Sequence, residues 1–381
     1  MHLIAHHTLL LLEINSSFDN IEITGGDGGG SYFYVTAPNI EIKNMYMHGW
    51  ATGTDNDVAA VQGEGTITGS SFHDSVIDGS DTNKNFFNGV YLEFPLVYNV
   101  YVQYVVSGFL GEFNILHDNV VQYPVVSCCG DHANSMFNFG PYSGTTVLHY
   151  NNVIRNTSAC TGCVNQWMMG DSGTSSSYVA YGFNNVIYNL DPANIWDIAP
   201  SNGSGNYGTY YLFNNTVECG TDSDTAGCFG GQPTSKFNVY DTNNHWITST
   251  QNSCSSPSFG GTCTSATPLF DTVSQANSSG YTGSQTYAFS PTASNSPSVG
   301  AGTNVQSYCT AIAAINAAAG TACQSDTTYG VGYNTTNHTV ITPGRTINVR
   351  PTSTAWELVP INIPAVHQYN MAISMVQRMG Q

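Results

Sequence analysis

The chain has 381 residues, with seven Lys+Arg against 25 Asp+Glu and a formal charge of −18. Only 8% of residues are charged, while 41% are apolar and 12% aromatic. That balance excludes nucleic acid as a partner, because phosphate neutralisation needs clustered Lys and Arg. It also excludes disorder, because there is ample material for a core. The longest apolar stretches fall far short of the ~20 residues of a membrane helix, so no membrane span is expected.

Met1 to Leu12 carries three histidines and a short apolar run, Leu9 to Leu12, without the basic region or cleavage pattern of a signal peptide. Residues 1–20 therefore read as a remnant or cap, in a chain that begins after processing or within a longer gene product. From residue 21 to 250 one block recurs. An apolar or aromatic strand runs into Asn-Asn or Asp-Asn and leaves through a second apolar pair. It reads His117-Asp118-Asn119-Val120-Val121, then Tyr150-Asn151-Asn152-Val153-Ile154, then Phe183-Asn184-Asn185-Val186-Ile187. Phe213-Asn214-Asn215-Thr216-Val217 and Thr242-Asn243-Asn244-His245-Trp246 continue it. Asn119, Asn152, Asn185, Asn215 and Asn244 stand 33, 33, 30 and 29 residues apart. Weaker copies lie at Ile42 to Tyr46, Gly69 to His73 and Val97 to Tyr101.

Such a period of short strands and turns predicts an all-β solenoid of about eight or nine coils, joined by Gly/Ser/Asn-rich loops. Each coil cannot bury its inward residues alone, and stacking at about 4.8 Å turns those rows into one core. The asparagines suit the corners: Asn tolerates left-handed backbone, and its amide can bond the amide of the next coil. After residue 250 the periodicity ends. Residues 251–381 read as an irregular segment and cap packed on the coils, with one Ala-rich helix near Tyr308 to Cys323.

The ten cysteines fall as sequence neighbours: Cys128/Cys129, Cys160/Cys163, Cys219/Cys228, Cys254/Cys263 and Cys309/Cys323. An even count at short spacing predicts local disulfides in an extracellular, secreted protein.

The Asn-Asn-Val-Ile coils resemble bacterial right-handed parallel β-helix proteins of the pectate-lyase-like superfamily, over roughly residues 20–250. Ser296 to Thr303, Arg350-Pro351 and Trp356-Glu357 are similar to the closing segment of such proteins. The resemblance implies the right-handed fold and a polysaccharide-active protein, with chemistry on the outer face of one sheet. In lyases of this superfamily an arginine or lysine removes the proton and calcium assists, so the resemblance makes Arg155 the candidate base and calcium the candidate cofactor. The Trp-Ile-Asp-His and Arg-x-Pro-x-x-Arg signatures of pectate lyases are absent, as is the polygalacturonase series, which sets the chain apart from both. Asp55-Asn56-Asp57 and Asp222-Ser223-Asp224 read as solvated turns, since neither has the spacing of a known calcium loop.

A second row, Asn56, Asn88, Asn134, Asn165 and Asn194, precedes short apolar strands. Alternation then divides the residues that follow. Val58, Val90, Met136, Trp167 and Trp196, with Ala60, Leu92 and Ile198, face the core. Tyr91, Phe137, Met168 and Asp197 face outward, followed by Glu93 and Phe139. Aromatic faces beside carboxylates suit a sugar chain, so Tyr91, Glu93, Phe137, Gln166 and Met168 are the expected substrate-binding residues. Asp131, His132 and Asp197 are the expected catalytic groups, two coils apart and roughly 5–10 Å from one another, the separation that glycoside hydrolysis requires. The expected function is a lyase or glycoside hydrolase acting on a plant or microbial glycan. The alternative is a non-catalytic surface, adhesive or filament-forming protein that self-associates end to end.

Overall fold

A computed structural model describes residues 2–5, 15–25, 30–50, 59–81, 88–123, 133–156, 163–169, 178–189, 207–218, 236–247, 262–285, 288–293, 295–325, 330–342 and 349–358. Strand accounts for 50% of the described residues and helix for 10%. The fold is an all-β, right-handed parallel β-helix.

Each coil presents up to three parallel sheets, named A, B and C in the order the chain meets them. Sheet A stacks Phe33–Val35, Ala59–Gly63, the first half of Asn88–Gln103, the first half of Phe109–His117, Ala133–Gly140 and Cys163–Met168. Sheet B lies just before the asparagine corner. Its middle column runs Phe18, Ile42, Phe72, Val97, Leu116, His149, Gly182, Leu212, Asp241 and Ser265. Sheet C follows the corner, and its inward column runs Ile23, Met47, Ile77, Val102, Val121, Ile154, Ile187, Val217, Trp246 and Phe270. The inward columns of all three sheets merge into one long hydrophobic core. The eight repeat copies are thus joined by one rung at each end, turning at Asn20 and Thr267, and at the N-terminal end the strand His2–Ala5 adds one more parallel strand of sheet C on Glu22–Gly25.

The corner divides the two jobs of asparagine between two positions. Asn20, Asn44, Asp74, Asn99, Asp118, Asn151, Asn184, Asn214, Asn243 and Thr267 are left-handed, with φ between 50° and 58°. The next residue carries the ladder. Nδ2 of Asn119, Asn152, Asn185 and Asn215 donates to Oδ1 of the following asparagine at 3.1, 3.1, 3.0 and 2.9 Å. Asn244 ends the series by donating to Asp241 Oδ1 at 2.6 Å. Such a buried row is tolerated because every amide has a partner on the next coil. The weak copy at Gly69 to His73 is displaced: the corner there is His73-Asp74-Ser75, where Ser75 Oγ accepts the Met45 N–H.

The chain after Asp271 runs back along the side of the coils. Helix α1 (Val273–Ser278), Tyr281 and Phe289 pack on Val186 and Ile247 of sheet C. Helices α2 (Gln306–Ile315) and α3 (Ala317–Cys323), joined by the Cys309–Cys323 disulfide, cover Tyr150, Phe183 and Phe213 of sheet B. The hairpin Gly332–Asn334/Thr339–Ile341 then reaches the early coils, where His338 stacks on Tyr46 at 4.1 Å. The left-handed asparagines hold this strap: Asn184 donates to the Ala322 and Ser325 carbonyls, Asn214 to Glu357 and Asn243 to Thr303. Cys263 is disulfide-bonded as well. Cys128, Cys129, Cys160, Cys219, Cys228 and Cys254 lie outside the described residues, and Cys163 is described in its backbone alone.

Candidate functional site

Sheet A carries the outward row. Val90, Phe109, Met136 and Trp167 are registered partners and buried in the core. Tyr91, Leu110 and Phe137 are registered partners on the opposite face, and the backbone of Met168 continues their register. Tyr91 and Leu110 are half-buried, Phe137 is buried, and Phe139 meets Phe137 edge to face at 4.9 Å. Leu92 does not join the core. It is half-buried and left-handed, φ 63°, because the chain turns there from sheet A toward sheet B. A leucine in that region is strained by its Cβ. The turn carries Glu93 past the end of the aromatic row.

Glu93 is the registered partner of Glu112 on the next coil. Stacking puts the two backbones about 4.8 Å apart. Glu93 Oε2 accepts the Gly65 N–H at 2.7 Å, fixing one carboxylate against the loop after Ala59–Gly63. Tyr142 clasps the same loop: its hydroxyl accepts the Ile67 N–H at 2.7 Å and donates to the Gly65 carbonyl at 2.8 Å. Two glycines make the stacking possible. A Cβ on Gly63 would collide with the Glu93 carbonyl, and one on Gly111 with the Leu92 carbonyl. Burial, and then the charge of Glu93, push the Glu112 carboxyl above the usual range. Two carboxyls so close disfavour each other's charged form, which is the direction seen at Glu112.

Beneath the row lies a buried histidine. Trp167 Nε1 donates to His149 Nδ1 at 3.1 Å, and Asn138 lies 3.0 Å from Nε2. Burial pulls the His149 pKa down to about 3, so the ring is neutral. It braces the floor of the row rather than exchanging protons with a ligand.

Among the expected site residues, Tyr91, Glu93 and Phe137 are brought together on sheet A. Gln166 and Met168 are described in their backbone, in the strand Cys163–Met168 of the same sheet. Asp131, His132 and Asp197 lie outside the described residues, as do Asn56, Val58, Asn194, Trp196 and Ile198. The Asp55 and Asp222 turns lie outside them too. Arg155 stands on sheet C, away from this row, where its Nε donates to Gln122 Oε1 at 2.8 Å and its Nη1 to the Tyr188 hydroxyl at 3.4 Å. Among the described residues no group of three or more His, Cys, Asp or Glu side chains is placed to hold a metal ion.

Glu112 is the group that sequence reasoning passed over, because its coil lacks the leading asparagine. Ser107 fills that slot, and its Oγ accepts the Asn134 N–H at 3.2 Å. The signal was present as two aligned strings, Asn88-Gly-Val-Tyr-Leu-Glu93 and Ser107-Gly-Phe-Leu-Gly-Glu112. Compared with known proteins, the chain matches no family model, no curated protein and no solved structure.

Proposed function

We propose that the protein is an extracellular, polysaccharide-active member of the pectate-lyase-like β-helix class. In this reading it hydrolyses a glycan laid across sheet A. The observation that carries the reading is the registered Glu93/Glu112 pair at the end of the Tyr91–Leu110–Phe137 row. Glu112, with its raised pKa, donates a proton to the leaving oxygen. Glu93 is the carboxylate that attacks or steers water. Adjacent-coil spacing of about 4.8 Å favours the short carboxylate separation of a retaining mechanism, about 5–5.5 Å. The half-buried Tyr91 offers an apolar ring face to a sugar ring, with the buried Phe137 packed beside the row.

The substrate class follows from charge. A chain of formal charge −18 repels a polyuronate at every approach. A neutral glycan is therefore the preferred substrate, and hydrolysis is preferred over elimination, which needs a cation at the site. The test is a panel of neutral and uronate polymers, assayed for new reducing ends and for unsaturated-uronate absorbance. Reducing ends released from a neutral polymer, and lost in Glu112→Gln, support the reading. Unsaturated products from a uronate polymer contradict it, and ordered end-to-end assemblies without turnover favour the filament-forming alternative.

A further inference from the structure

Sheet C ends in a second corner. Asn156 and Asn189 are left-handed there, with φ 57° and 52°. Asn189 Nδ2 donates to Asn156 Oδ1 at 2.7 Å, and the Asn189 N–H donates to Glu218 Oε2 at 2.7 Å. The row is directional. Among the described residues, Asn156 Nδ2 at one end and Glu218 Oε1 at the other make no further hydrogen bond, so the row ends in one open donor and one open acceptor.

The strap roofs this corner. Phe289 meets Tyr188 edge to face at 5.5 Å and 74°. Gly283 lies so close over the Tyr188 ring that a Cβ there would stand 2.9 Å from it. Between roof and sheet a pocket of about 410 Å³ remains, lined by Asn156, Asn189, Glu218, Tyr188, Val273 and Ser284 among others. Its size is that of a small-molecule site, which runs from about 300 to 1,000 Å³. Val273, 41% exposed, is a large apolar side chain left open at this pocket. Among the described residues Glu218 is the one charged group in the lining, so none of them offers an anion a counter-charge. One amide donor, one carboxylate acceptor and an aromatic wall match the hydroxyls and apolar edge of a sugar.

We infer that this pocket binds the end of an uncharged saccharide, one or two residues long. The site is separate from Glu93 and Glu112, which stand on sheet A. It would hold one end of a glycan independently of turnover.

The experiment titrates the full chain, carrying Glu112→Gln to prevent turnover, with glucose, galactose, N-acetylglucosamine and their β-linked disaccharides by isothermal calorimetry. Saturable binding of at least one sugar is expected. Ser284→Trp, at an exposed position that fills the pocket, should abolish it. Glu218→Ala should weaken it at least tenfold, and Glu93→Gln should leave it unchanged. No binding of any of these sugars overturns the inference, as does binding that survives both Ser284→Trp and Glu218→Ala. A Glu93→Gln effect equal to that of Ser284→Trp also overturns it, because it would place the sugar on sheet A.

Discussion

The early and late coils share one backbone and solve its interior differently. Along the middle column of sheet B the early coils place Phe18, Ile42, Phe72, Val97 and Leu116, whereas the late coils place His149, Gly182, Leu212, Asp241 and Ser265. At the ladder position after the corner, Ile21, Met45, Ser75 and Val100 give way to five asparagines. The outer column shows the same divide. His73, Tyr98, His117, Tyr150, Phe183 and Phe213 form one unbroken stack with centroids 4.4 to 5.1 Å apart. In the early coils its histidines have carboxylate partners: His73 with Asp74 and Glu41, His117 with Asp118. In the late coils its rings are buried beneath α2 and α3. Stacking geometry therefore does not choose the ring. What covers the ring does.

The ladder is where the two halves should differ most. Asn185 accepts from the Asn152 N–H and Nδ2 and donates to Asn215 and to the His149 carbonyl. Asn185→Ala leaves several buried groups unpaired, each worth about 1–3 kcal/mol, so a loss of at least ~4 kcal/mol is expected in urea unfolding. Val100→Ala, at the matching position of an early coil, should cost only about 2 kcal/mol.

Acid should act on the late coils next. His149, held down to about 3 by burial, refuses a proton that the unfolded chain accepts below its ordinary 6.5, so its contribution falls as pH drops from 6.5 toward 3. Asp241, pushed up to about 6 by burial, acts in the opposite sense: the folded chain takes its proton below 6 and the unfolded chain only near 3.8. At pH 4 His149 is worth about 3 kcal/mol and the opposing Asp241 about 2 kcal/mol, so the two largely offset each other. Asp241→Asn should therefore steepen the stability loss between pH 7 and 4 by about the latter amount, and His149→Gln should reverse its sign. Urea midpoints at the two pH values decide it.

The strap gives the next effect. Removing the Cys309–Cys323 link, which closes 14 residues, should destabilise it by about 3 kcal/mol. Limited proteolysis should then cut the chain between 300 and 325, and hydrogen exchange should quicken at Tyr150, Phe183 and Phe213 while Phe72 and Val97 stay protected. The smallest effects belong to the stack itself. Phe183→His puts an unpaired ring nitrogen under the strap and should cost about 1–3 kcal/mol. His117→Phe, in the open half, should change stability by less than about 1 kcal/mol.

The corner was legible because its chemistry is local. A left-handed turn favours Asn, and the ladder needs a second Asn directly after it, so the pair repeats in the sequence. The coils at Asn20, Asp74 and Thr267 were harder to see because other residues fill one or both roles. The row on sheet A was legible through alternation at Tyr91 and Phe137. It broke at Leu92, where a left-handed residue resets the alternation, and at Glu112, where Ser107 replaces asparagine. Whether a carboxylate sits beside another on the next coil depends on loop length between coils, which no local pattern encodes. The strap's path was hidden for the same reason: it is set by which outer faces are apolar across several coils at once.

The most direct measurement compares wild-type, Glu112→Gln and Glu93→Gln protein for reducing ends released from the best neutral polymer of the panel, with unfolding midpoints recorded alongside. The account predicts a fall in turnover of ~10²-fold or more for either variant, with the fold retained. Turnover in Glu112→Gln equal to that of wild type would contradict it.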